Sequence, residues 1–220
     1  MITKATFDFL KDLAQNNNRE WFHDHKNEHD LAKQNVLDFV QQVINKLGKT
    51  EPLIPQNLEA KNCVMRIYRD IRFSKDKTPY KTNFGAGISP NGKNFNGPGY
   101  YLHISPEGCF VAGGCWMPEA ENLKLIRQEI DYNASSFREI IEDPDFKSYF
   151  VEPDRENLLK TSPKGYPADH PEIEFLKLKS FTVSHEINSA ELSNKNSVDK
   201  VVEGFEKMHP FMIFLRNALS

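Results

Sequence analysis

The stretch Tyr100-Tyr101-Leu102-His103-Ile104-Ser105-Pro106-Glu107-Gly108-Cys109-Phe110-Val111-Ala112-Gly113-Gly114-Cys115 holds two short apolar runs around a Ser-Pro-Glu-Gly connector. Proline in second place and glycine in last place suit a tight turn, so the two runs read as an antiparallel hairpin. Upstream, residues 84–88 form a short glycine-containing run that ends at the turn Ser89-Pro90-Asn91-Gly92. Residues 64–73 mix β-branched, aromatic and charged side chains in rough alternation, which is strand-like. These segments predict an antiparallel sheet of about four strands in the middle of the chain.

Helical patterns flank the sheet. Thr3 is a suitable N-cap, and Phe7, Leu10, Leu13 and Ala14 share a face at helical spacing. Asn16-Asn17-Asn18 breaks that helix. A second begins near Arg19 or later, carries Val36, Phe39, Val40, Val43, Ile44 and Leu47, and ends at Gly48 as the C′ residue. Residues 51–56, with Pro52 and Pro55, read as a loop. Beyond the hairpin, Pro118 should open a helix with Leu123, Ile126 and Ile130, and Ser135 should cap a shorter one with Phe137, Ile140 and Ile141. Residues 172–178 read as a helix and residues 180–185 as a further strand. Near the end, Val201, Val202, Phe205 and Met208 are helical in spacing, and Pro210 should divide them from Phe211, Phe214 and Leu215. Terminal helices around central hairpins imply one α+β domain over residues 1–220, with the sheet covered mainly on one face.

The 220 residues are 39% hydrophobic and 27% charged, a globular composition with a net charge of −3. Cys63, Cys109 and Cys115 are odd in number and lack C-x-x-C spacing, which favours reduced thiols and a cytoplasmic setting. Met1 to Leu13 has no apolar core of a signal peptide, and no run is long enough for a membrane span, so no membrane partner is expected.

Charge is not evenly spread. Residues 61–81 hold seven Lys or Arg and two Asp, about +5, which leaves −8 for the remainder. Arg66, Arg69 and Arg72 recur every third residue among Ile67, Tyr68, Ile71 and Phe73, and Lys75, Lys77 and Lys81 follow around Pro79. Guanidinium forks grip phosphate or carboxylate oxygens in pairs, and lysines add mobile charge. Alternation would put Val64, Arg66 and Tyr68 on one face and Met65 and Ile67 on the other, in the core, with a bulge near Asp70 re-aiming Arg69 or Arg72. The opposing reading is structural: Asp70, Asp76 and other acids neutralise the arginines internally. Tyr68, Tyr80 and Trp116 offer aromatic surface for a ligand, although for Trp116, after Gly113-Gly114-Cys115, filling the core beside the following helix is the better reading.

Pro163-Lys164-Gly165-Tyr166-Pro167-Ala168-Asp169-His170-Pro171 is a proline-bracketed loop with Lys164, Tyr166, Asp169 and His170. Asp169 and His170 could form an acid–base pair, but Asp169 suits an N-cap better. His25 and His29 are one helical turn apart, yet nothing nearby completes a metal site, and a solvated polar face is the better reading. No phosphate-loop, dinucleotide or serine-elbow motif is present, and no cofactor or metal is called for.

Several blocks resemble the bacterial and fungal family called domain of unknown function 2461. They are Phe9-Leu10, Asn17-Asn18-Arg19-Glu20-Trp21-Phe22, the run from Arg66 to Thr82, Tyr100-Tyr101-Leu102-His103-Ile104, Gly113-Gly114-Cys115-Trp116-Met117-Pro118, Pro163-Lys164-Gly165-Tyr166-Pro167 and Pro210-Phe211. The resemblance spans nearly the whole chain, implies one intact domain and imports no catalytic residue. The expectation is a protein that binds a phosphate-bearing or other anionic small molecule, or nucleic acid. Its ligand-binding residues would be Arg66, Tyr68, Arg69, Arg72, Lys75, Lys77, Tyr80, Lys81 and Trp116, with Lys164, Tyr166 and His170. The alternatives are a hydrolase or transferase acting on a phosphorylated or carboxylate substrate, and an interaction scaffold with internally paired arginines.

Overall fold

The computed structural model describes residues 1–95, 97–150, 155 and 158–220. Among them, in chain order, lie helices α1 (Lys4–Gln15), α2 (Arg19–Asp24), α3 (Lys26–Leu47) and α4 (Ala60–Cys63), then strands β1 (Phe84–Ile88), β2 (Gly99–Ile104) and β3 (Cys109–Cys115). Helices α5 (Ala120–Tyr132), α6 (Ala134–Glu142), α7 (Pro144–Tyr149) and α8 (Ile173–Leu176) follow, then β4 (Phe181–Ile187), α9 (Ser189–Leu192), α10 (Ser197–Lys207) and α11 (His209–Ala218). The strands form one open antiparallel sheet in the order β1-β2-β3-β4, an α+β architecture. The described residues gather into two compact units.

The first unit comprises residues 1–94, 101–111 and 186–204. Thr3 caps α1 by accepting from the Thr6 N–H, and Phe7, Leu10 and Leu13 are buried, whereas Ala14 is exposed. Asn16 closes α1, and the Asn18 side chain accepts from the Trp21 N–H to open α2. The six apolar residues expected on α3 are all buried, and its C-cap is Gly48, in right-handed helical conformation. Helix α3 packs against α1, α2, α4 and β1.

Residues 64–73 are not a regular strand. Two isolated antiparallel bridges, Val64 with Ala86 and Tyr68 with Tyr80, tie this stretch to the chain ahead of and within β1. Met65 N–H donates to Gly85 O and Lys81 N–H to Ile67 O, so two residue steps on one side face four on the other. The chain bends at Thr82 and Asn83 to absorb the excess. The irregularity therefore lies opposite Arg66, not near Asp70. It also breaks the alternation: Val64 and Ile67 are buried while Met65 is half-exposed. The fourth strand is β4, with Phe181, Val183 and Ile187 buried and Ser184 and Glu186 exposed.

The second unit comprises residues 95–100, 112–185 and 205–220. Here α11 packs on α5 and α6. Gly114 has φ +128°, and a Cβ there would overlap the Phe181 carbonyl oxygen, so only glycine fits. Met117 adopts φ 44°, and the turn it makes postpones α5 to Ala120, with Glu119 at the N-cap and Pro118 outside the helix. Asn133, not Ser135, occupies the N-cap position of α6. Helix α7, which periodicity alone did not suggest, starts on two local signals: Asp143 accepts from the Phe146 N–H, and Pro144 sits in the first turn. Helix α8 is a single turn beginning at Ile173, and Asp169, exposed, caps nothing. Pro210 stands in the first turn of α11 and separates it from α10, as expected. Among the described residues no helix is long and apolar enough to cross a membrane.

Candidate functional site

In the first unit a cleft of about 430 Å³ opens between the start of α2, the start of α3 and the chain around Tyr68 and Pro79. Phe22 and Tyr80 form its packed wall, their rings stacked at 4.0 Å and 15°. Tyr68 stands beside them, its ring 5.4 Å from Tyr80 and half of its surface exposed. Arg19, His23, Lys26 and Arg69 also line the cleft, and no carboxylate does.

Local sequence fixes this arrangement. The Asn17 side chain holds the Tyr80 backbone in both directions, accepting from its N–H at 3.1 Å and donating to its carbonyl at 2.9 Å. Asn18 starts α2, which sets Arg19 in the first turn and Phe22 one turn on, facing Tyr80. Burial raises the Tyr80 hydroxyl pKa, the neighbouring Tyr68 adds to it, and Arg19 opposes them. Arg19 thus lies close enough to act on the cleft wall, and it makes no ion pair among the described residues.

The predicted site residues of the basic segment divide by partner. Arg69 is held by Asp76 and Thr78 through one guanidinium nitrogen, Nη1. Arg72 pairs with Asp70 through two nitrogens, Nε at 3.0 Å and Nη2 at 2.6 Å. Bonds from the Thr78 backbone and from Arg69 bring the Asp76 carboxyl down to about 2, and the Arg72 bond lowers Asp70. Both acids within the run are therefore already engaged. Lys77 Nζ donates to the Ile71 carbonyl at 2.9 Å. Arg66 and Lys75 are exposed and without a carboxylate partner among the described residues. Lys81 is half-buried, and its pKa is lowered first by burial and then by the nearby Arg66 charge. Arg66 and Lys81 are like charges held near one another, and Arg66 also acts on the Asp70 carboxyl.

The remaining predicted residues belong to the second unit. Trp116 is 60% exposed, beside the 53% exposed Met117, so it does not fill the core. Lys164 is exposed. His170 uses both ring nitrogens: Glu172 N–H donates to Nδ1 at 3.1 Å, which leaves the proton on Nε2 to donate to Asp131 at 2.9 Å. Asp131, not the adjacent Asp169, is its partner. Tyr166 meets the His170 ring edge-on at 5.6 Å, and burial followed by the Asp131 charge raises its pKa.

His25 and His29 form neither a metal pair nor a solvated face. His25 stacks on Trp21 at 4.0 Å, and His29 is buried against the rings of Phe9, Phe22 and Phe84. Burial lifts the thiol pKa of Cys63 to about 11 and of Cys115 to about 12, which makes both inert.

A family model described as a conserved hypothetical protein (DUF2461) matches residues 5–214. The chain belongs to the DUF2461 family. Its match takes in α1 to α11 almost whole, and with them every residue of the cleft. No curated protein and no solved structure matches this DUF2461 chain. Reading the sequence for charge missed Arg19, Phe22, His23 and Lys26, because they lie far from residues 61–81 along the chain. One signal was present: Arg19 and Phe22 sit in the block Asn17-Asn18-Arg19-Glu20-Trp21-Phe22 that carries part of the family resemblance.

Proposed function

We propose that this DUF2461 protein binds a small phosphate-bearing ligand with a planar ring, and that the cleft beside Tyr80 is where it binds. The observation that carries this reading is the cleft's composition: basic side chains and aromatic walls, with no carboxylate among the lining residues. Arg69 is pinned on one nitrogen by Asp76 and Thr78, which leaves its remaining donors for an oxyanion in a fixed orientation. Arg19, at the start of α2, supplies a second fork. Tyr68, half-exposed, supplies a face for the planar part of the ligand. The volume of about 430 Å³ falls within the range of small-molecule sites. Arg66 and Lys81, near each other and in no ion pair among the described residues, extend the positive field. The three buried free thiols suit a reducing cytoplasm.

The test is calorimetric titration of the full chain with nucleoside monophosphates, sugar phosphates and inorganic phosphate at low salt. Binding of at least one, weakened tenfold or more by Arg19→Gln, supports the reading; each lost charge-assisted contact is worth about 1.5–3 kcal/mol. No heat and no shift in thermal stability with any of the three removes it.

A further inference from the structure

The loop between Arg69 and Pro79 carries Phe73 near its middle, 95% exposed. A phenylalanine so bare gains nothing from folding where it stands. The loop itself is tied down. The Tyr68–Tyr80 bridge and the Arg69 N–H bond to Pro79 O close its base. Inside it, Asp76 holds Arg69 and Thr78, Asp70 holds Arg72, and Lys77 holds the Ile71 carbonyl. These bonds pair both acids with arginines of the loop, and the Arg72 guanidinium lies 5.9 Å from the Phe73 ring centroid, with Lys75 and Lys77 exposed further along the loop. Ile71, two residues before Phe73, already lines the cleft.

We infer that this loop carries a single-stranded nucleic acid, with one base stacked on Phe73 and its phosphates on Arg72, Lys75 and Lys77, while a neighbouring nucleotide enters the Tyr68–Tyr80 cleft. The inference rests on the cleft reading and extends it from a mononucleotide to a strand. Two exposed rings, Tyr68 and Phe73, separated by cations, match what a strand of alternating bases and phosphates presents, since base stacking tolerates any sequence and cations follow the backbone. An anionic bilayer is the competing surface. A flat membrane could reach Phe73 and its lysines but could not use Tyr68 and Arg19 inside a cleft.

The experiment is fluorescence anisotropy of the full chain with labelled oligo-dT and oligo-rU of about 12 nucleotides, alongside unlabelled nucleoside monophosphate and phosphatidylserine vesicles. Three or four phosphate contacts on a single strand predict an affinity that falls about 20- to 50-fold between about 50 and 200 mM salt. Phe73→Ala should weaken oligonucleotide binding about 5- to 150-fold and leave monophosphate binding unchanged. Lys75→Glu with Lys77→Glu should reduce the salt slope by about one to two units. Phe73 is nearly all exposed, so its loss leaves folding intact, as thermal unfolding would verify. If monophosphate binds but the oligonucleotide binds no more tightly, and Phe73→Ala changes nothing, the strand inference fails while the cleft reading stands. Binding to vesicles through Phe73 without oligonucleotide binding also overturns it. If neither nucleotide form binds, both readings fall.

Discussion

Asn17 closes its side-chain amide on the backbone of Tyr80, 63 positions further along the chain, with one bond given and one received. The amide thus acts as one residue's worth of β-ladder, and it fixes the aromatic wall of the cleft to the junction of α1 and α2. Asn17→Ala leaves a half-buried N–H and C=O without partners and should cost about 1–3 kcal/mol. Asn17→Asp keeps the acceptor but loses the donor, so it should fall between wild type and Asn17→Ala. Urea unfolding reads both. An Asn17→Ala protein as stable as wild type would show that the clasp contributes nothing.

Gly85 and Tyr101 form a second dependent pair. A Cβ on Gly85 would stand 2.6 Å from the Tyr101 hydroxyl oxygen and 3.1 Å from its ring. Gly85→Ala should destabilise by about 1–3 kcal/mol through overpacking. Removing the hydroxyl in Gly85→Ala/Tyr101→Phe should return part of that loss. A double-mutant cycle in guanidinium measures the coupling, and strict additivity would be evidence against this contact.

Burial lowers the pKa of both His29 and His103. At His29 the bond and charge of Asp30 pull upward, and Lys26 and Lys33 push further down. Below the unfolded value of about 6.5 the unfolded chain takes up protons that these two rings refuse. Their contribution is therefore whole above about pH 6.5 and is lost as pH falls through the depressed folded values. Unfolding free energy measured from pH 7.5 downward should decline from near neutrality. His29→Gln should flatten the curve, and a variant with an unaltered curve would exclude His29 as a source.

Asp76 knots the Phe73 loop through Arg69 and Thr78. The carboxyl is exposed, so Asp76→Asn should leave the melting temperature almost unchanged. Amide exchange in residues 70–78 should nevertheless quicken, because the loop loses its internal tie. Exchange mass spectrometry resolves the two effects. Equal exchange in wild type and variant would assign the loop's order to the Tyr68–Tyr80 bridge alone.

The sequence showed most where local chemistry was sufficient. The β2–β3 hairpin is legible because Ser105-Pro106-Glu107-Gly108 separates two apolar runs, and its strand boundaries agree to within a residue. Thr3, the asparagine break and Pro210 act through nearest neighbours, so they too could be read directly. Residues 64–73 misled because β-propensity says nothing about what lies opposite, and the bend at Thr82 and Asn83 decides which side chains turn inward. Ser135 and Asp169 are acceptable caps in isolation, but Asn133 stands at the first position and Glu172 at the second. The basic segment drew attention to Tyr68 and Arg69, which do line the cleft. Its other wall comes from α2 and α3, and no spacing rule joins Arg19 to Tyr80. The same blindness to distant partners hid the Asp131 bond that occupies His170.

The Ile2 amide donates to the Leu192 carbonyl at 2.9 Å, and the first unit is drawn from three separate stretches of chain that reach Gly204. A nascent chain leaving the ribosome therefore cannot finish this unit until residues 186–204 have emerged. Ile2, which ends up wholly buried, must wait for the segment around Leu192 to be made. Such late closure makes the order of synthesis and the order of assembly different things, and it favours a slow final folding step dominated by long-range contacts.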